Sequence, residues 1–223
     1  MLSRLSHVWH RVPVTIVLVT VMSVIAIALA LASPDDADVF EAWVSSNLDN
    51  LSQRPVRVLI LSALVPAGDA TVVFLIALTA CLAATETWLG HWQVLACYFG
   101  FNVTATVVTA VWILLAMQFG WYDAQAAGAE DFGVSYGLLG LWFLLIARPR
   151  ALWGRLLIAG TGIIFVVQLD PFDFWLHDDF ADIGHLTAAA LGTAGAAVML
   201  IRRQPTPPPA IPDAGTTPPR RAG

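Results

Sequence analysis

Apolar residues run along this chain in long blocks separated by short polar stretches. Val12–Ala32 carries no charge over 21 residues, long enough as a helix to cross ~30 Å of hydrocarbon. Ala70–Trp88 repeats the pattern, and His91–Gly120 exceeds it, which predicts a tilted span. Gly133–Ala147 is shorter, fifteen residues or ~22 Å of helix, which suits a segment enclosed by protein rather than lipid. Leu156–Leu169, which can start as early as Leu152, and Gly184–Ile201 complete the series. The pattern predicts an all-α, polytopic membrane protein with six transmembrane helices.

The joints carry their own signals. Ala30-Leu31-Ala32 also fits a signal-peptide cleavage site, but the apolar run before it exceeds the usual ~7–15 residue core, so a retained first helix is expected. Ser33–Ala67 is a long connection that begins acidic and ends in Arg54-Pro-Val-Arg57 and a short apolar run at 56–64. That run either lies in the interface with its arginines at headgroup level or extends the next helix, and Pro66 and Gly68 favour a break. Asp69 is placed to cap the second span, and Gly90 to end it. Asn102, Thr104, Thr106 and Thr109 lie along the third span, where hydrogen bonding between helices is the expected role.

Composition agrees with this reading and excludes others. Of 223 residues 58% are hydrophobic and 12% charged, with mean hydropathy +0.73, too little charge to cover a soluble domain. The positive charges are arginines without a lysine; Cys81 and Cys97 sit in apolar segments and read as small buried hydrophobes; no phosphate-binding loop or nucleic-acid patch is present. Arginines precede span one, separate spans four and five, and follow span six, whereas acidic loops occupy the alternate joints. Under the positive-inside rule both termini face the cytoplasm of an inner (cell) membrane protein. Residues 1–11 form a cytoplasmic start, 12–201 the membrane domain, and 202–223 a disordered Pro-rich tail for which a bare linker is the default.

Two residues stand out chemically. Ser135 and His185 each lie just inside an apolar segment at its outer end, at matching depth. Gly133 and Gly137, and the ridge Gly184, Ala188, Gly192 and Ala196, allow the two helices to approach closely. A serine within ~3 Å of an imidazole can become a nucleophile with a base; a packing ridge with a hydrogen-bonded histidine at its end is the blander alternative. His177, Asp178 and Asp182 could in principle ligate a hard metal, but a solvated acidic loop is the expected role, and no cofactor is implied. No charged residue at mid-bilayer and no repeat suggests transport.

These motifs resemble the rhomboid intramembrane serine proteases. Gly133-Val134-Ser135 is similar to the Gly-x-Ser that opens the family's fourth helix. His185 with Ala188 and Gly192 is similar to the sixth-helix histidine and its small residues, with Ala188 where glycine is usual. Glu86-Thr-Trp-Leu89-Gly90 resembles the Glu-x-x-Leu-Gly ending helix two. The resemblance implies that Ser135 is the nucleophile, His185 the base, and the backbone N–H of Ser135 an oxyanion donor. It further implies a hydrolase that cuts other membrane proteins near the outer leaflet, entered between spans two and five.

The departures are specific. The family's helix-two His and Asn, which bind the oxyanion, fall on Ala70 and Phe74. Tyr136 and Phe143 stand where glycines are usual. Thr71 and Asn102 are candidate substitutes. The alternative implied by these gaps is an inactive relative that binds membrane-protein clients without cutting them.

Overall fold

The computed structural model describes residues 11–66, 71–168 and 181–203, and among them every regular element is helical. In chain order these are α1 (Pro13–Leu31), α2 (Pro34–Val44), α3 (Leu48–Gln53), α4 (Pro55–Leu61), α5 (Thr71–Leu89), α6 (His91–Gln118), α7 (Val134–Leu144), α8 (Leu152–Gln168) and α9 (Ala181–Arg202). Short 3₁₀ turns occupy Ala124–Gly128 and Leu145–Ala147. Four helices are long and apolar enough to cross a membrane: α1, α5, α6 and α9. The segments Val134–Ala147 and Leu152–Val166 are apolar but shorter.

The short fourth segment is enclosed, as its length predicts. Of α7, only Ser135 and Trp142 escape full burial. It packs most extensively on α9, then on α6, and glycines set the approach. A Cβ on Gly192 would collide with the Gly140 carbonyl oxygen, one on Gly184 with the Tyr136 ring, and one on Gly137 with the Tyr98 ring. Ala188 is fully buried on the same α9 face. The outward faces of α1, α5, α6 and α8 carry large apolar side chains such as Val24, Ile76, Leu114 and Ile164, as lipid-facing surfaces require.

The long first connection is helical, which its polar composition concealed. Ser33 caps α2 by accepting from the Asp36 N–H, and Asn47 caps α3 by accepting from the Asn50 N–H. Proline opens both α2 and α4, where its missing N–H costs nothing. α4 is a separate element and not an extension of α5: helical structure ends at Leu61 and is described again from Thr71. Val58 is buried while Val56 and Ile60 are exposed, and Arg57 stacks over Trp43 at 4.2 Å. Asp69, expected to cap the second span, lies outside the described residues, as do His177, Asp178 and the Pro-rich tail beyond Arg203.

At the arginine-rich end most of the polar contacts converge on one side chain. Glu86, buried in α5, accepts from the N–H groups of Val14 (2.9 Å) and Thr15 (2.8 Å), from the Thr15 hydroxyl, and faces His91 Nδ1 at 2.6 Å. It thereby caps the start of α1, whose first N–H groups have no partner within the helix. Gly90 lets the chain reverse between α5 and α6 at φ +101°, a conformation that other residues rarely adopt. Arg148 and Arg203 close the same end, donating to the Thr87 hydroxyl and the Ala147 carbonyl.

Candidate active site

At the opposite end, α7 begins beneath the connection α2–α4. Gly133 precedes it as the N-cap, with its N–H donating to the Ser62 carbonyl (3.1 Å). There is no room for a side chain here, because a Cβ would overlap the Asn102 amide. The backbone at Gly133 is thus pinned between α6 and the segment after α4, and Ser135 follows two residues later on the first turn.

Ser135 and His185 are brought together. Ser135 Oγ lies 2.9 Å from His185 Nε2, within hydrogen-bond reach for a nucleophile and its base. Both are partly buried and line a cavity of about 150 Å³ with Val65, Pro66, Phe74, Phe132 and Val134. The walls are apolar, and the Ser135 and His185 side chains supply the polar groups. Gly137 N–H bonds the Gly133 carbonyl, so the N–H groups of Val134 and Ser135 precede the first intrahelical bond of α7. They sit at the helix end that favours negative charge.

Behind the imidazole is a network that sequence reading did not find. The Tyr136 ring packs edge-on against His185, centroids 5.1 Å apart. Its hydroxyl donates to Asp131 Oδ1 (2.8 Å), and the Ser46 hydroxyl to Asp131 Oδ2 (3.1 Å). Ser45 Oγ accepts the Asp131 N–H, and the Ser46 N–H donates to the Asp131 carbonyl. Burial pushes the Asp131 carboxyl above its ordinary range. The Tyr136 and Ser46 hydroxyls, the Phe132 N–H and the nearby His185 ring pull it back toward the anion. Tyr136 therefore fills the space a glycine would leave, and Asp131 fixes its orientation.

Asp182, expected in a solvated loop, is buried on the first turn of α9, its Oδ1 3.9 Å from His185 Nδ1. Among the described residues no group of His, Cys, Asp and Glu is arranged to hold a metal.

The expected oxyanion substitutes are engaged elsewhere. The Thr71 hydroxyl donates to the Pro66 carbonyl and the Asn102 amide to the Leu59 carbonyl. The polar stripe on α6 also departs from expectation. Asn102 bonds the connection rather than another long helix, Thr104 is exposed, and the buried Thr106 and Thr109 hydroxyls have no partner.

The family model described as "Rhomboid-like protein" matches residues 7–205, most of the chain. Comparison with curated proteins and with solved structures gave no match. The chain belongs to the rhomboid-like protein family.

Proposed function

We propose that this rhomboid-like membrane protein is an intramembrane serine endopeptidase that cleaves transmembrane segments of other membrane proteins near the outer leaflet. The chain would cross the membrane six times, with both termini in the cytoplasm. The observation that carries the reading is the 2.9 Å contact of Ser135 Oγ with His185 Nε2 inside a small apolar cavity.

In this mechanism Ser135 Oγ attacks the scissile carbonyl carbon while His185 Nε2 takes the hydroxyl proton. The carbonyl oxygen becomes an oxyanion facing the N–H of Ser135 at the start of α7. Collapse of the intermediate breaks the C–N bond, and His185 returns its proton to the leaving amine. Water, deprotonated by His185, then releases the acyl group. A cavity of about 150 Å³ lined by Val65, Phe74 and Phe132 suits a small apolar side chain. α5 and α8 meet through Phe74 and Phe165, ring centroids 5.5 Å apart, at the side where a substrate helix would enter.

One observation favours a second reading, a client-binding relative without activity. Phe74 stands where an oxyanion-binding Asn is usual and lines the cavity beside Ser135. Removing one oxyanion donor costs ~10²–10³ in rate.

Intact-mass measurement of the purified protein after fluorophosphonate treatment separates the two. The protease reading expects a single adduct on the native chain and none on Ser135→Ala or His185→Ala. An unlabelled native chain, beside an active rhomboid that labels fully, would establish the client-binding reading instead.

A further inference from the structure

His185 has two ring nitrogens, and the protease reading uses one of them. Nε2 faces Ser135 Oγ. Among the described residues, Nδ1 is buried without a hydrogen-bond partner, and so is Asp182 Oδ2. The two groups are neighbours, with Asp182 Oδ1 3.9 Å from His185 Nδ1, and Asp182 is 1% exposed. We infer that Asp182 is the positioning residue of the site: its carboxylate accepts the Nδ1–H of His185, so that Ser135, His185 and Asp182 work as a triad on α7 and α9. This rests on the protease reading for its consequence in catalysis, but the Asp182–His185 bond stands or falls independently.

Three observations carry it. First, a buried carboxylate without full hydrogen bonding is costly, and so is a buried ring nitrogen without a partner. Each group supplies what the other lacks, and a movement of about 1 Å brings 3.9 Å to hydrogen-bond length. Second, the residues are three apart on one helix, which places their side chains on the same face. Third, the ordinary role of an acid in a first helical turn, complementing the helix dipole, is filled at the surface, whereas Asp182 is turned inward.

Among the described residues, the other groups around the imidazole do not compete for Nδ1. Asp131, in the loop before α7, is the second carboxylate that acts on His185, but its oxygens accept from Tyr136 and Ser46. Phe74, Val65 and Pro66, on the remaining walls of the site, are apolar. The Tyr136 ring meets the imidazole edge-on at 70° and limits its rotation.

The proton bookkeeping is simple. With Nδ1 protonated and bonded to Asp182, Nε2 has a free lone pair for the Ser135 proton. When it takes that proton the imidazolium is stabilised by the adjacent carboxylate, which itself stays ionised. Without the carboxylate, the tautomer protonated on Nε2 can donate to Ser135 and is useless as a base.

The test uses the full chain in nanodiscs, native, Asp182→Asn and Asp182→Glu, with two readouts. ¹⁵N NMR of histidine-labelled protein, assigned by difference with His185→Ala, reports which ring nitrogen carries the proton. Fluorophosphonate labelling reports serine reactivity. The native protein is expected to show His185 protonated on Nδ1 at neutral pH. Asp182→Asn should move the proton to Nε2 and slow labelling at least tenfold, toward the ~10⁴ of a tautomer-inverting substitution. Asp182→Glu should restore the native tautomer and part of the rate. A native His185 protonated on Nε2 would overturn the inference even if the Asn variant failed to fold. So would an Asp182→Asn protein with native tautomer and native labelling. An unlabelled native chain with a tautomer that responds to Asp182 would sink the protease reading alone.

Discussion

Two carboxylate–histidine pairs sit at opposite ends of this bundle, and they are built differently. At the arginine-rich end Glu86 is saturated: two backbone N–H groups, a threonine hydroxyl and His91 all address it, and it ties α1 to α5. At the other end Asp182 and His185 face each other at 3.9 Å with Asp182 Oδ2 and His185 Nδ1 unpartnered. A carboxylate with every lone pair committed holds helices; one with capacity left beside an imidazole can respond when that imidazole gains charge. A carboxylate beside a histidine is therefore a staple in one place and, as inferred above, a poised group in the other. The difference lies in how many donors converge on the carboxylate.

The contrast can be broken by exchanging what each pair loses. Glu86→Ala should be the most damaging single change, costing about 3 kcal/mol, because it orphans the buried Thr15 hydroxyl and uncaps α1. Thermal unfolding in detergent should show this, while labelling of Ser135 per folded molecule stays at the native rate. If Glu86→Ala instead slowed labelling without lowering the melting temperature, the staple and the working pair would have been assigned to the wrong ends.

Gly192→Ala comes next, at about 2 kcal/mol. Its Cβ would meet the Gly140 backbone oxygen, so α7 and α9 must separate, and labelling should slow together with the loss of stability. Gly160→Ala, with open space around it, is the matched control and should be neutral or slightly stabilising.

A smaller effect is expected at Asp131. Its carboxyl is pushed up by burial, so the folded protein holds that proton more tightly than the unfolded chain. The sign follows: stability contributed by the protonated form is present at low pH and falls as pH rises through the raised folded value. Between the ordinary 3.8 and that value, the melting temperature of the native protein should decline with pH relative to Asp131→Asn. Parallel curves for the two proteins would contradict this.

The smallest effect belongs to His91→Gln. Its side chain is 47% exposed, so its pair with Glu86 should contribute less than ~1 kcal/mol. Labelling should not change.

What could be read from the sequence divides along the range of the interactions. The apolar runs, Gly90 as a stop, and the small-residue faces of α7 and α9 are local patterns of period and size, and the helices follow them closely. Ser135 and His185 were visible because they interrupt otherwise apolar segments. Beyond their near neighbours His91 and Tyr136, the partners of Glu86 and Asp131 lie 71 to 86 residues away, and no local pattern announces them. Asp182 reads as part of a solvated acidic loop, whereas it is buried on the first turn of α9, where its inward rotamer depends on the packing of α9 against α7. The helices of the first connection were missed because their caps, Ser33 and Asn47, sit within a stretch whose polarity suggested an open loop.

The brevity of α7 also bears on how the protein is made. Eleven α-helical residues give ~17 Å of rise, too little for a lone segment to be retained across a bilayer as it leaves the ribosome. Its neighbours are separated in time: α6 emerges before it, whereas α9, its most extensive partner, is the last of the described helices to emerge. Ser135 thus emerges well before His185, and their contact forms only once α9 has been made. A nascent chain halted before residue 181 carries Ser135 without His185, so under the proposed protease function reactivity would be withheld until the fold closes around the serine.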